Sequence, residues 1–128
     1  MARFEVSARM KVRGGQLEGF KRQAAECIRV TKEKDTRTLR YDWFLSDDGT
    51  EAEIREEYVD SDGFLEHRMN VGDALDKLFS EFAYAHTAYG FGDASAELVQ
   101  YATAHMPAGS VKWYRFHDGL SGPVSDSR

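Results

Sequence analysis

The apolar positions of this chain repeat with period two, then 3.6, then two in two successive runs, then 3.6, then two again, and few folds accept that order. Phe4, Val6, Ala8, Met10 and Val12 share one face of the first run, and Glu5, Ser7, Arg9 and Lys11 share the other. That is a strand with one buried face. Gly14-Gly15 breaks it. Leu17, Phe20, Ala24, Cys27, Ile28 and Thr31 then recur at spacings of three and four, which predicts an amphipathic helix from about Gln16 to Lys34.

Leu39, Tyr41, Trp43 and Leu45 alternate with Arg40, Asp42 and Phe44 in a second strand. Asp47-Asp48-Gly49 predicts a hairpin, because Asp-Gly tolerates the positive φ of a tight turn. The third strand runs from about Glu51 to Val59, with Ala52, Ile54, Glu56 and Tyr58 on its inner face. Asp60 or Ser61 can cap the helix that follows. Phe64, His67, Val71, Ala74, Leu75, Leu78, Phe79 and Phe82 form its apolar stripe, with Gly72 placed to divide it in two. A fourth strand spans about Ala83 to Tyr89, ended by Gly90 and Gly92. Asp93 can cap a short helix through Glu97, Leu98 and Tyr101, which Pro107 and Gly109 stop. Val111 to Phe116 read as a last, aromatic strand.

The first six elements make a βαββαβ, ferredoxin-like α+β arrangement with an antiparallel sheet, followed by an extra helix and strand. Residues 1–120 are expected to form one domain and 121–128 a flexible tail. With 41% hydrophobic and 30% charged residues the composition is that of a globular domain. RNA-recognition modules share this topology, but a net charge of -5 and the lack of their aromatic-and-glycine strand signature argue against nucleic acid. No signal peptide or long apolar run is visible, so a cytoplasmic protein without membrane association is expected.

The lone cysteine, Cys27, lies on the first helical stripe and reads as a small buried hydrophobe. It rules out an intrachain disulfide and a multi-cysteine zinc site. His86, His105 and His117 show no metal-ligand spacing and are expected on strands or at the surface. No phosphate loop, dinucleotide fingerprint or nucleophile elbow is present.

Two polar residues break the apolar faces. Helical phase turns His67 inward between Phe64 and Val71, and strand parity turns Glu56 inward between Ile54 and Tyr58. Buried polar groups need partners. His67 is either a core histidine bonded to a carbonyl or carboxylate, or a base lining a pocket. Glu56 is either a partner for His67 or an inward arginine, or a base with a raised pKa. Tyr41, Trp43 and Tyr58 share that inner face, as plain core or as an aromatic wall for a flat ligand.

Three segments carry a resemblance. They are Leu39 to Thr50, with its Trp43 and Asp-Gly hairpin; Glu56-Glu57-Tyr58-Val59-Asp60-Ser61-Asp62-Gly63-Phe64-Leu65-Glu66-His67; and Tyr89 to Leu98. In order and spacing they resemble the antibiotic biosynthesis monooxygenase family, over Phe4 to Leu120. The resemblance implies a homodimer whose two sheets close a barrel, with Arg9, Arg40, Arg55, Glu5, Glu53 and Glu57 on the face enclosed between them. It also implies one pocket per subunit between sheet and helices, for a small apolar or aromatic ligand. Its chemistry would be cofactor-independent oxygenation of an aromatic, polyketide or quinol-like substrate, without metal or flavin. His67 and Glu56 would be the catalytic residues, and Tyr41, Trp43, Tyr58 and Phe64 the substrate-binding wall. The family's haem-degrading branch uses an Asn on the first strand. Here that strand offers Glu5, Ser7 and Arg9, which argues against haem degradation.

Overall fold

A computed structural model describes residues 3–120. The tail expected over 121–128 lies outside the described residues. The elements are β1 (Phe4–Val12), α1 (Leu17–Lys34), β2 (Thr38–Leu45), β3 (Glu51–Tyr58), α2 (Ser61–Glu81), β4 (Ala83–Phe91), α3 (Ala96–His105) and β5 (Val111–Tyr114). They build one sheet in the order β2-β3-β1-β4-β5. The ferredoxin-like α+β fold read from the period order is the fold of the chain.

The first four strands pair antiparallel, with Phe4 opposite Tyr58 on one side of β1 and Glu5 opposite Phe91 on the other. β5 adds to β4 in parallel, Ala88 opposite Val111, so the sheet as a whole is mixed. The reason is topological: α3 crosses between β4 and β5, and a crossover returns the chain in the same direction. The Asp47–Gly49 turn forms with Gly49 at φ 72°. Asp48 Oδ1 accepts from Ser46 Oγ and from the backbone N–H and hydroxyl of Thr50, which ties the turn shut.

Several boundaries differ from the sequence reading. α2 runs unbroken through Gly72. One glycine costs a helix about 1 kcal/mol, less than the packing of the stripe around it supplies. Asp60 is its cap, accepting from Gly63 N–H at 2.9 Å. α3 is capped by Ser95, not Asp93, through Leu98 N–H. β4 does not end at Gly90. That residue is inside the strand because a Cβ there would lie 2.8 Å from the Trp113 ring and 2.9 Å from that of Phe4. β5 stops at Tyr114 rather than Phe116.

β1 buries Phe4, Val6, Ala8, Met10 and Val12 against the helices, as its alternation requires. Of three apolar clusters among the described residues, the smallest joins Ala88, Ala102 and Met106, and the other two flank the polar residues. One gathers Ala8, Met10, Phe20, Cys27, Ile54, Val71, Leu75 and Leu78. The other gathers Phe4, Val6, Tyr58, Phe64 and Leu98. Cys27 is fully buried, and burial pushes its thiol pKa up to about 12, so it behaves as core. Glu56 sits between Ile54 of the first cluster and Tyr58 of the second, and His67 between Phe64 and Val71. The polar residues therefore lie in the seam between the two clusters.

Candidate active site

Asp35 is the extended residue that ends α1, and its side chain turns back into the seam. Its Oδ2 accepts from His67 Nδ1 at 2.8 Å and from the Thr38 hydroxyl at 2.6 Å, and its Oδ1 accepts from Asn70 Nδ2 at 2.9 Å. The side chains of Asp35 and His67 are each 1% exposed. Burial by itself would raise the Asp35 pKa, but hydrogen bonds from His67, Thr38 and Asn70 hold it below the ordinary carboxylate value. A carboxylate can only accept, so Nδ1 of His67 carries the hydrogen. In the uncharged ring Nε2 then carries the lone pair.

Glu56 does not pair with His67. Its carboxyl accepts the Tyr58 hydroxyl proton, and complete burial raises its pKa. The imidazole is held between two phenol rings, with Tyr41 edge-on at 4.5 Å and Tyr58 at 5.6 Å between centroids. Phe64 packs on Tyr58 at 5.4 Å. Trp43 meets Phe20 and Tyr41 edge-on, each at 5.8 Å between centroids, against the first cluster.

A cavity opens in the seam. Of the residues singled out in the sequence, Tyr41, Glu56, Phe64 and His67 line it; Tyr58 and Trp43 stand outside its wall. Four further wall residues bear on its chemistry or access: Arg68, Phe79, His86 and Met106. The gap is about 10 Å³, room for about one water molecule.

Sequence reasoning missed Asp35, Asn70, Arg68 and His86. Asn70 was within reach, being three residues after His67 on the same helical face. His86 was not, because β4 contains a bulge. Ala83 and Ala88 both face the core, which strict alternation forbids. Ala85 absorbs the extra residue at φ 56°, in the left-handed region, and the pairing with β1 shifts at the same place. The bulge aims His86 inward, onto the Phe79 ring at 4.3 Å. Burial and the neighbouring Arg68 charge lower the His86 pKa to about 4, so this imidazole is uncharged at neutral pH. Among the described residues no three His, Cys, Asp or Glu side chains converge to hold a metal ion, and no helix is long and apolar enough to cross a membrane.

No known protein-family model matches the sequence, and no curated protein matches it. Solved structures do share the fold. MupZ from Pseudomonas fluorescens aligns with a TM-score of 0.75 at 20% identity, over 96% of this chain and 97% of its own. A Nitrosomonas europaea protein provisionally named an antibiotic biosynthesis monooxygenase aligns with a TM-score of 0.64 at 15% identity, over 74% of this chain and 93% of its own. Rv0793 from Mycobacterium tuberculosis aligns at 0.62 and 19%, over 73% and 97%. The chain thus shares the ferredoxin-like α+β fold of these structures, one of which carries the antibiotic biosynthesis monooxygenase name.

Proposed function

We propose that the protein is a cofactor-independent monooxygenase for a small aromatic, polyketide or quinol-like substrate, acting as a homodimer. The observation that carries this reading is the buried Asp35–His67 pair at the wall of a cavity lined by aromatic side chains. Asp35 fixes the ring so that Nε2 can take a proton from the substrate. The substrate anion then reduces O2. A CH2 centre becomes C=O, one oxygen atom entering the carbonyl and the other leaving as water. The substrate supplies all the electrons, so the balance calls for no flavin or metal. Glu56, whose pKa burial raises, would hand a proton to the departing oxygen.

The small size of the cavity supports a second reading: a dimer of the same fold that binds a small apolar ligand without turnover. Oxygen uptake separates the two. A panel of quinols and polycyclic phenols is added to the protein, and the monooxygenase reading expects one O2 consumed per substrate, lost in His67→Asn. Saturable binding of a panel member without oxygen uptake would establish the second reading instead.

The homodimer is supported by the uncovered sheet face, where Phe44, Phe91 and Tyr114 are 51%, 42% and 45% exposed beside Arg9, Arg55 and Glu53. Apolar area of this kind on a sheet marks an interaction surface. Light scattering after gel filtration should give twice the 14.5 kDa chain mass. A monomer at micromolar concentration would refute the assembly. Phe91→Glu should dissociate the dimer while leaving the helix-side core folded.

A further inference from the structure

Two buried donors in the cavity wall have no acceptor. The Arg68 Nε–H and the Tyr41 O–H are shielded from solvent and find no acceptor among the described residues, and Arg68 forms no ion pair there. An unpaired buried donor is costly, whether it belongs to a phenol or to the shielded end of a half-buried guanidinium. Such a group persists where something else answers it.

Nothing nearby is fitted to do so. Glu56 is engaged by Tyr58, and its burial favours the uncharged form. Asp35 already accepts from His67, Thr38 and Asn70. His86 is uncharged and lies in the same wall. The cavity wall therefore carries a half-buried guanidinium whose shielded Nε–H has no acceptor, set among Phe64, Phe79 and Tyr41.

The geometry points to Arg68 and Tyr41 as an oxyanion site: the ligand is an aromatic acid, an acidic enol or phenol held as its conjugate base, with the negative oxygen on Arg68 Nε–H and Tyr41 O–H. This deepens the oxygenase reading and rests on it, since the anion held is the one His67 would create. Arg68 would then be a specificity-determining residue that favours the ionised substrate over its neutral form. A guanidinium suits this role because it stays charged when desolvated. The present gap admits about one water, so ring entry requires side chains to swing aside. Arg68 and Met106, both long and unbranched, are the wall residues able to do that.

The test is a binding titration, which reads the anion site whether or not oxygen is consumed. The probes are 2-hydroxy-1,4-naphthoquinone, an enol ionised at neutral pH; its neutral 2-methoxy ether; and 1-naphthoate. Wild type should bind the enolate at least about tenfold more tightly than the ether. Arg68→Met should abolish that preference with ether affinity unchanged, and Arg68→Lys should keep part of it. Naphthoate binding as tightly as the enolate would keep the oxyanion site and make a carboxylate its occupant. Equal affinity for enolate and ether, no binding of either anion, or a preference that survives Arg68→Met would overturn the assignment. Arg68→Met should also melt at or above the wild-type temperature, since it removes a buried donor that has no acceptor. A fall of more than ~5 °C would mean that the guanidinium serves the fold, and would equally overturn it.

Discussion

His67→Ala should cost the fold about 3–5 kcal/mol, because it strips the main hydrogen-bond donor from a buried carboxylate and leaves a cavity where the two apolar clusters meet. For a domain of this size that is a fall of roughly 10–20 °C in melting temperature. Stability alone does not separate a packing histidine from a base, since both predict the loss. His67→Asn does. Its side-chain amide can still donate to Asp35, so much of the stability should return, while the ring nitrogen facing the substrate is gone. Oxygen uptake should then be absent in a protein that melts near wild type. Recovery of both stability and turnover in His67→Asn would remove the imidazole from the chemistry. A small loss of stability in His67→Ala, under about 1 kcal/mol, would contradict the network itself.

Asp35→Ala should be at least as damaging. Three donors converge on this carboxylate from α2 and β2, and each loses its partner at once. At about 1–3 kcal/mol for each unsatisfied buried donor, a loss of 3 kcal/mol or more is expected, less whatever water recovers. The milder Asp35→Asn keeps an acceptor and the shape. It no longer requires the Nδ1–H form of His67, and in comparable dyads a wrong tautomer lowers turnover by about 10⁴. The acid dependence has a definite sign. The folded state depresses the Asp35 pKa below the ordinary 3.8, so its contribution is complete above that value and fades as pH falls toward the depressed one. Melting curves for wild type and Asp35→Ala should therefore lie furthest apart at neutral pH and converge in acid below about pH 3.8. Curves that stay equally separated down to pH 2 would show that the carboxylate's charge is not what holds the site.

Much of the candidate site was visible in one dimension. Parity along β3 turned Glu56 inward, and phase along α2 turned His67 inward; both are buried in the seam. The aromatic neighbours Tyr41 and Tyr58 followed by the same argument and do flank the imidazole. The pairing between these groups was not visible. Glu56 and His67 are the two polar intruders, and joining them was the natural guess, yet each bonds to something else. Tyr58 lies two residues from Glu56 on the same face of one strand, so its hydroxyl reaches the carboxyl first. His67 takes Asp35, a residue at a helix end that no periodic pattern marks.

What the sequence by itself determined is therefore the order of elements, the face each turns to the core, and the identity of the polar residues forced inside. These follow from local periodicity, because one buried face per strand or helix is a property of that segment alone. The tertiary structure decided which groups meet. A shift of one residue in β4, absorbed at Ala85, brought His86 into the cavity wall, and the crossover through α3 laid β5 parallel to β4. The end of α1 was carried to the side of α2, 32 residues away, so that Asp35 could close on His67. Such contacts depend on register, bulges and helix ends, each set by the packing of the whole chain, and no stretch of it specifies them alone.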